Sequence, residues 1–215
     1  MVNGTVSSNV LTNILDTVSQ SLQIPVIIFL LIFAIGVIIL LGGLIREFIG
    51  RKKVSNDEMK SLINGISHSN SSSEILSVID SADIPNSQKN DLREIVSSDD
   101  LDMESRVALA KKLLSSREKK LDKRLSYTDI ITRIGPTLGL MGTLIPMGPG
   151  LAALGSGDII TLSNAIIVAF DTTVVGIGAG AVAYVISKIR RRWYGEYIEN
   201  MDVLTDVVLS RLKNI

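Results

Sequence analysis

Three long apolar runs divide an otherwise polar chain, at residues 24–45, 134–154 and 159–187. Each run contains the roughly 20 residues that an α-helix needs to cross the hydrocarbon core of a bilayer. Between and after the runs, apolar residues recur every three or four positions, which is the spacing of amphipathic helices. The pattern therefore predicts an all-α, polytopic membrane protein with three transmembrane helices.

Positive charge indicates how these helices are oriented. None of the 22 Lys and Arg residues lies within residues 1–45 or 134–187. Basic residues instead cluster just after the first and third runs and just before the second. Lys and Arg that flank a span stay on the cytoplasmic side, so all three borders predict an outside N-terminus and a cytoplasmic C-terminus. We expect a multi-pass protein of the cytoplasmic membrane.

Short helices are expected between the first two spans. One is predicted from about Gln88 to Ser97, after the break at Pro85. From Leu101 the apolar spacing continues without Gly or Pro as far as Gly135, which predicts a long helix that enters the membrane unbroken. Two further helix starts have the capping-box spacing, at Ser55 with Glu58 and at Ser71 with Glu74.

Six segments follow from these patterns. The outermost segment and the tail both place apolar residues at helical spacing, so each is predicted to be an amphipathic helix. The tail is expected to continue the third span and to pack against the long helix before the second span, against a neighbouring subunit, or against both. In chain order the segments are an outer amphipathic segment (1–23), the first span (24–45), a small cytoplasmic helical domain (46–133), the second span (134–154), the third span (159–187) and a cytoplasmic tail helix (188–215).

Composition excludes several kinds of chemistry. The chain has no Cys, which excludes disulfides, thiolate catalysis and Cys-ligated metals. Its one His, His68, lies in a Ser- and Asn-rich stretch, so we expect neither a metal site nor a cofactor. A formal net charge of zero gives no sign of nucleic-acid binding. An enzyme fits this sequence poorly, because it offers no catalytic Cys, no usable His and no soluble domain large enough for a pocket.

The second and third spans are richer in small residues than the first. Gly135 and Gly139 are four residues apart, as are Gly176 and Gly180, and this spacing lets helix backbones approach closely in membranes. Gly142 extends the series in the second span. For these glycines we favour close helix packing as the whole explanation.

Prolines also interrupt the backbone hydrogen bonds of the second span. Pro136 and Pro146 have no N–H, so the carbonyl groups that they leave without a helix donor need other partners. Thr137 directly follows Pro136, and Thr143 lies three residues before Pro146. We expect their hydroxyl groups to supply some of the missing hydrogen bonds.

Asp171 is an acid near the middle of the third span, where an unpaired carboxylate costs roughly 2.5–3.5 kcal/mol. Asn164 lies seven residues earlier and shares its helical face, and Thr172 is next to it. No Lys or Arg inside the spans can pair with it, so Asp171 is either protonated or faces water, a cation or another subunit. One interpretation is an ion pathway; the other is a hydrogen bond from protonated Asp171 to a Thr of a neighbouring helix.

Two segments make the chain resemble the MotA/TolQ/ExbB proton channel family, and within it the three-span TolQ/ExbB branch. Residues 135–143, Gly-Pro-Thr-Leu-Gly-Leu-Met-Gly-Thr, look like the family's Pro-xx-Gly-Leu-x-Gly-Thr segment. Residues 169–176, Ala-Phe-Asp-Thr-Thr-Val-Val-Gly, look like its Ala-Thr-x-x-Gly-Leu segment. The predicted outside N-terminus, large cytoplasmic loop and long helices are also the layout of that branch.

The resemblance implies a homo-oligomeric ring in the lipid bilayer, pentameric in the family, with the second and third spans lining a lumen. It also implies single-span partner proteins of the ExbD/TolR/MotB kind, whose helices occupy the lumen and bring an essential Asp. By position, Thr143 and Thr173 match the family's two lumen-facing threonines. The Glu of the TolQ/ExbB branch falls here on Val168. Asp171, three residues later, either takes over its role or marks a different ion or partner geometry.

Two functions are consistent with these features. The first is an ion-conducting stator or energy-transducing subunit that couples a proton or sodium gradient to motion of a single-span partner. The alternative is a non-conducting oligomeric membrane scaffold that presents its cytoplasmic helical domain for interaction. The glycines and amphipathic helices fit both functions, whereas the acid and hydroxyl groups inside the spans favour the first. The predicted ion-pathway residues are Asp171, Thr143, Thr173, Thr172 and Asn164.

Overall fold

The computed structural model of the protein describes the backbone of residues 3–52 and 54–215, and the side chains of those ranges from Val10 onward. Every regular element in these ranges is an α-helix, which confirms the all-α part of the predicted fold class. The seven helices are α1 (Asn3–Ser21), α2 (Gln23–Gly50), α3 (Asn56–His68), α4 (Ser72–Ser81), α5 (Asn86–Ser97), α6 (Met103–Gly155) and α7 (Ile159–Leu212).

Three stretches of helix are long and apolar enough to cross a membrane, as predicted. They are Val10–Gly50, which includes most of α1 and all of α2, and the whole of α6 and α7. Helical hydrogen bonding continues across the turn between α1 and α2, where the Leu22 N–H donates to the Val18 carbonyl at 3.2 Å. As predicted, α6 continues through the border before the second span, and α7 continues through the border after the third span.

The short helices begin close to the predicted positions. At α3, Ser55 accepts from the Glu58 N–H and the Glu58 carboxylate accepts from the Ser55 N–H, which confirms the capping box. At α4, Ser71 likewise accepts from the Glu74 N–H, but the Glu74 carboxylate accepts from the N–H of Asn70 instead. The predicted start of α5 was two residues late, because the helix begins at Asn86 directly after Pro85.

The chain forms two compact units. Met1–Gly43 and Ser126–Lys188 form the first, which we call the span unit because it contains most of the three apolar runs. Leu44–Leu125 and Ile189–Ile215 form the second, which we call the polar unit. Each unit has its own buried apolar cluster.

The polar unit is built around the buried faces of its amphipathic helices. Apolar residues three or four positions apart on α3, α4 and α5 all point into one cluster, as helical periodicity requires. The C-terminal part of α7 contributes the residues that complete this cluster, so the predicted tail does pack against helices of its own chain. Fully buried members include Ile66, Ile75, Ile79, Leu92, Ile95, Met201, Leu204 and Val208.

One ion pair lies at the edge of this core. The Arg117 guanidinium donates twice to the Asp91 carboxylate, at 2.5 and 2.7 Å, and Asp91 is buried. This hydrogen bond raises the pKa of Arg117. Beside it, Gln88 donates to the Tyr197 carbonyl at 3.0 Å, which ties α5 to α7. Burial raises the pKa of Tyr197.

A second polar cluster joins the end of α2 to α7. The Glu47 carboxylate accepts hydrogen bonds from the buried Arg190 and Tyr194 side chains, at 3.1 and 3.3 Å. Burial and the nearby Glu47 charge raise the pKa of Tyr194. Arg51 forms an ion pair with Glu196, and its guanidinium lies 5.1 Å from the centre of the Trp193 ring. These contacts stabilise the part of α7 that follows the third span.

In the span unit, α2 packs against α6 and α7 along one face only. Val26 and Leu30 lie in one cluster with Ile145, and Val37 lies in another with Ile131, Ala179 and Ala183. Many other side chains of α2 are exposed and apolar, as expected for a lipid-facing helix. Exposed members include Ile28, Phe29, Leu31, Ile32, Ile35, Ile38 and Ile39.

Candidate functional site

Glycines bring α6 and α7 into backbone contact within the span unit. A Cβ atom at Gly176 would lie 2.6 Å from the Gly135 carbonyl oxygen and 2.8 Å from the Gly139 Cα. A Cβ at Gly135 would in turn lie 3.0 Å from the Gly176 carbonyl oxygen. Side chains at these positions would force the two helices apart. The structure thus places these predicted packing glycines at one contact.

Gly142 and Gly180 extend this contact in both directions. A Cβ at Gly142 would lie 2.5 Å from the Thr172 Cβ, and a Cβ at Gly180 would lie 2.8 Å from the Pro136 ring. Thr172, predicted as an ion-pathway residue, is therefore buried in the α6–α7 contact. Its hydroxyl donates within its own helix, to the carbonyl groups of Val168 and Ala169.

The threonines next to the prolines in the chain make different hydrogen bonds from those expected. In a helix, Pro136 and Pro146 leave the carbonyl groups of Thr132 and Gly142 without their usual donor. The Thr137 hydroxyl donates to the Arg133 carbonyl at 3.1 Å instead. The Thr143 hydroxyl donates to the Leu140 carbonyl at 2.7 Å. Neither hydroxyl donates to a carbonyl group that a proline leaves without a donor. Each side chain instead directs its hydroxyl to a carbonyl of the preceding turn of the helix.

Thr143 and Thr173 lie on the same side of the α6–α7 contact. Met141 and Ile145 pack in the cluster with α2. Thr143 lies two residues from each of them, a rotation of about 200°, so it is on nearly the opposite side of α6. Thr173 is likewise two residues, or about 200°, from Val175, the α7 member of that cluster. Both threonines therefore point away from α2. Both are half-buried.

The same contacts show that these threonines lie at similar depth. Gly139 faces both Thr172 and Thr173, and Gly142 faces Thr172. Because α6 and α7 are antiparallel, Thr143 and Thr173 lie within about one helical turn of each other along the pair. We call the side of the α6–α7 pair that carries them the hydroxyl face.

Asp171 lies on a different side of α7. It is two residues from Thr173 and four from Val175, so it lies about 200° from Thr173 and only about 40° from Val175. Asp171 is exposed, as is Asn164, which shares its side of the helix. The geometry divides the predicted ion-pathway residues between two surfaces, with Thr172 buried between the helices. A role for Asp171 in ion handling stays a prediction.

The site contains one acid that the sequence analysis did not single out. Asp129 of α6 accepts a hydrogen bond at 2.7 Å from the hydroxyl of Ser187 of α7. The sequence signal was available, because Asp129 lies fourteen residues before Thr143, close to four helical turns. Among the residues that the structure describes, no three His, Asp or Glu side chains are grouped to hold a metal ion.

Residues 83–203 match the profile of the MotA/TolQ/ExbB proton channel family. The match covers more than half of the chain, including α6 and most of α7. This chain belongs to that family. It is therefore a multi-pass membrane protein of a proton-channel family, and the three candidate spans are consistent with the three-span branch. No curated protein matches the sequence.

Proposed function

We propose that this protein is the ion-conducting subunit of an energy-transducing complex, in which a proton or sodium gradient moves a single-span partner protein. The observation that supports this most is the hydroxyl face. Thr143 and Thr173 come from different helices, point the same way and face away from α2. Packing within one copy does not require two hydroxyl groups at matching depth on a shared side.

We further propose a ring of identical subunits, pentameric as in the family. The hydroxyl face would point to the central lumen, and α2 would lie at the outside. Exposed apolar side chains on α2 support this arrangement, because they suit contact with acyl chains. Hydroxyl oxygens around a lumen can replace part of the hydration of a passing cation. The acid that binds it would then come from the partner helix in the lumen.

Asp171 and Asn164 would have a separate part in the ring. They are exposed on the protomer and lie away from the hydroxyl face, at a depth where contact with lipid is costly for a carboxyl group. We assign both to the contact between neighbouring copies, which would remove them from lipid. In that role Asp171→Asn would leave the ring assembled, whereas Asp171→Leu would reduce the pentamer fraction in native mass spectrometry.

The orientation we propose puts the N-terminus outside and the polar unit in the cytoplasm. The distribution of Lys and Arg supports it, because basic residues flank each span at the end that joins the polar unit. For one elementary charge, about 2.3 kcal/mol is released per 100 mV of membrane potential. That energy is sufficient to bias the position of a partner helix in steps.

Cysteine accessibility tests the water-filled path, and the chain has no native Cys to interfere. Thr143→Cys and Thr173→Cys should react with a membrane-impermeant methanethiosulfonate reagent in the assembled complex. Met141→Cys and Val175→Cys are matched controls, because both positions are also half-buried in the protomer but belong to the α2 side. Equal labelling of all four positions would contradict the proposal and favour a non-conducting scaffold.

A further inference from the structure

The pair formed by Asp129 and Ser187 lies at the opposite end of the hydroxyl face from the threonines. Asp129 is fourteen residues before Thr143 on α6, and Ser187 is fourteen residues after Thr173 on α7. Fourteen residues are close to four helical turns, so each member lies within about 40° of its threonine around the helix. Asp129 is therefore on the hydroxyl face, about 21 Å along it from the threonines. Ser187 lies where this face meets the α6–α7 contact, because it is buried, bonds to Asp129 and is also about 40° from Ala183 of the α2 cluster.

Oxygen atoms continue between the two ends of this face. Thr132 lies one turn from Asp129, and its hydroxyl donates to the Thr128 carbonyl at 2.8 Å. Pro136 provides no N–H for the Thr132 carbonyl, which is the usual acceptor at that position of a helix. A Cβ at Gly180 would lie 3.5 Å from this carbonyl oxygen, so the oxygen faces α7. Acceptor groups thus follow one side of α6 from Asp129 toward Thr143.

We propose that Asp129 and Ser187 form a binding site for the conducted cation, proton or sodium, at the inner end of the hydroxyl face. This inference rests on the proposed function. A proton arriving from the lumen would bond to the Asp129 carboxylate and leave from it to the cytoplasmic side, so charge and atoms balance without another reactant. Sodium would instead be coordinated by the Asp129 carboxylate and the Ser187 hydroxyl oxygen.

The same two residues also hold α6 and α7 together, so the variants must separate binding from packing. Ser187 is buried and half-buried Asp129 accepts its hydrogen bond. Asp129→Asn keeps an oxygen acceptor for Ser187 and a side chain of the same size, but it removes the negative charge. Where complex size and melting temperature stay unchanged, a fall in influx then reports the lost charge and not the packing. Asp129→Glu restores the charge.

Ion influx into vesicles tests the site. The vesicles contain the full chain, purified from its native membrane together with its bound partners. We expect Asp129→Asn to lower influx driven by a potassium diffusion potential about 100-fold, the low end of what a positioned proton-transfer group contributes. Asp129→Glu should restore much of it. Asp122→Asn, an exposed acid on the same helix, should match the wild type. A pH dye and a sodium dye, used in parallel, show which cation the site takes.

Three results would overturn this inference in different ways. Asp129→Asn could show the same influx as the wild type, with unchanged complex size and melting temperature. The proposed function would then stand, but Asp129 would have no part in it. No influx of either cation in the wild type would remove the proposed function and the site together. A drop in Asp129→Asn together with a smaller complex would show that the pair only packs the helices.

Discussion

The substitution Gly176→Ala should separate α6 from α7. Its added Cβ would lie 2.6 Å from the Gly135 carbonyl oxygen and 2.8 Å from the Gly139 Cα, and both of these atoms belong to the backbone. Carbon atoms in ordinary contact are about 3.5–4.0 Å apart, so the helices must move by roughly 1 Å or more. No flexible side chain can turn aside to relieve the clash.

The size of the effect follows from measured overpacking. Inserting a methyl group into a well-packed contact costs about 1–3 kcal/mol, and two backbone clashes favour the upper half of that range. Gly178→Ala is the matched control, because it adds the same methyl group to α7 two residues away, where a Cβ would meet nothing within 4 Å. Any gain in helix propensity is the same for both variants. The difference between them therefore measures the clash.

The assay is thermal unfolding of the purified protein in detergent, followed by loss of helical circular dichroism. We expect Gly176→Ala to melt several degrees below the wild type and Gly178→Ala to melt at or above it. If both variants melted together, the glycines of the α6–α7 contact would not be needed for close approach. The arrangement of the hydroxyl face, which depends on that contact, would then be wrong as well.

Three further predictions concern the polar unit. Ser55→Ala removes the N-cap of α3 and should destabilise the unit by about 1 kcal/mol in denaturant unfolding, with Ser55→Asp close to the wild type. Asp91→Ala leaves Arg117 without its carboxylate and should cost about 3 kcal/mol, whereas Asp91→Ala combined with Arg117→Met should recover part of the loss. Arg51 lowers the pKa of Glu196 in the folded protein. This pair therefore stabilises the fold fully above the pKa of an unfolded glutamate, about 4.3. The stabilisation is lost as the pH falls through the lower pKa of Glu196 in the folded protein. Glu196→Gln should therefore weaken the acid dependence of the melting temperature, and high salt should reduce the difference from the wild type.

Much of the fold could be predicted because the membrane imposes simple rules on sequence. The three spans follow from apolar length alone, and the start of α3 follows from the spacing of Ser55 and Glu58. The sequence also predicted that helices continue across residues 133 and 187, and α6 and α7 confirm this. Polar residues after an apolar run mark where the lipid ends. They do not end a helix, because the backbone hydrogen bonds can continue beyond the membrane.

The candidate site was predicted less completely, for a geometric reason. Asp171 and Thr173 are close in sequence and both polar. Residues that are two positions apart in a helix nevertheless point to nearly opposite sides. Only the contacts of Val175 with the α2 cluster show which side each residue occupies. Asp129 was overlooked because it precedes the apolar run, although its spacing from Thr143 carries the same periodic signal.

The central claim is that the hydroxyl face conducts a cation. The most direct measurement is cation influx into vesicles that contain the native complex, driven by an imposed membrane potential. The wild type should admit protons or sodium well above protein-free vesicles, and the isosteric double variant Thr143→Val with Thr173→Val should admit far less at unchanged complex size. Influx that is absent in the wild type, or equal in the two proteins, would contradict the account.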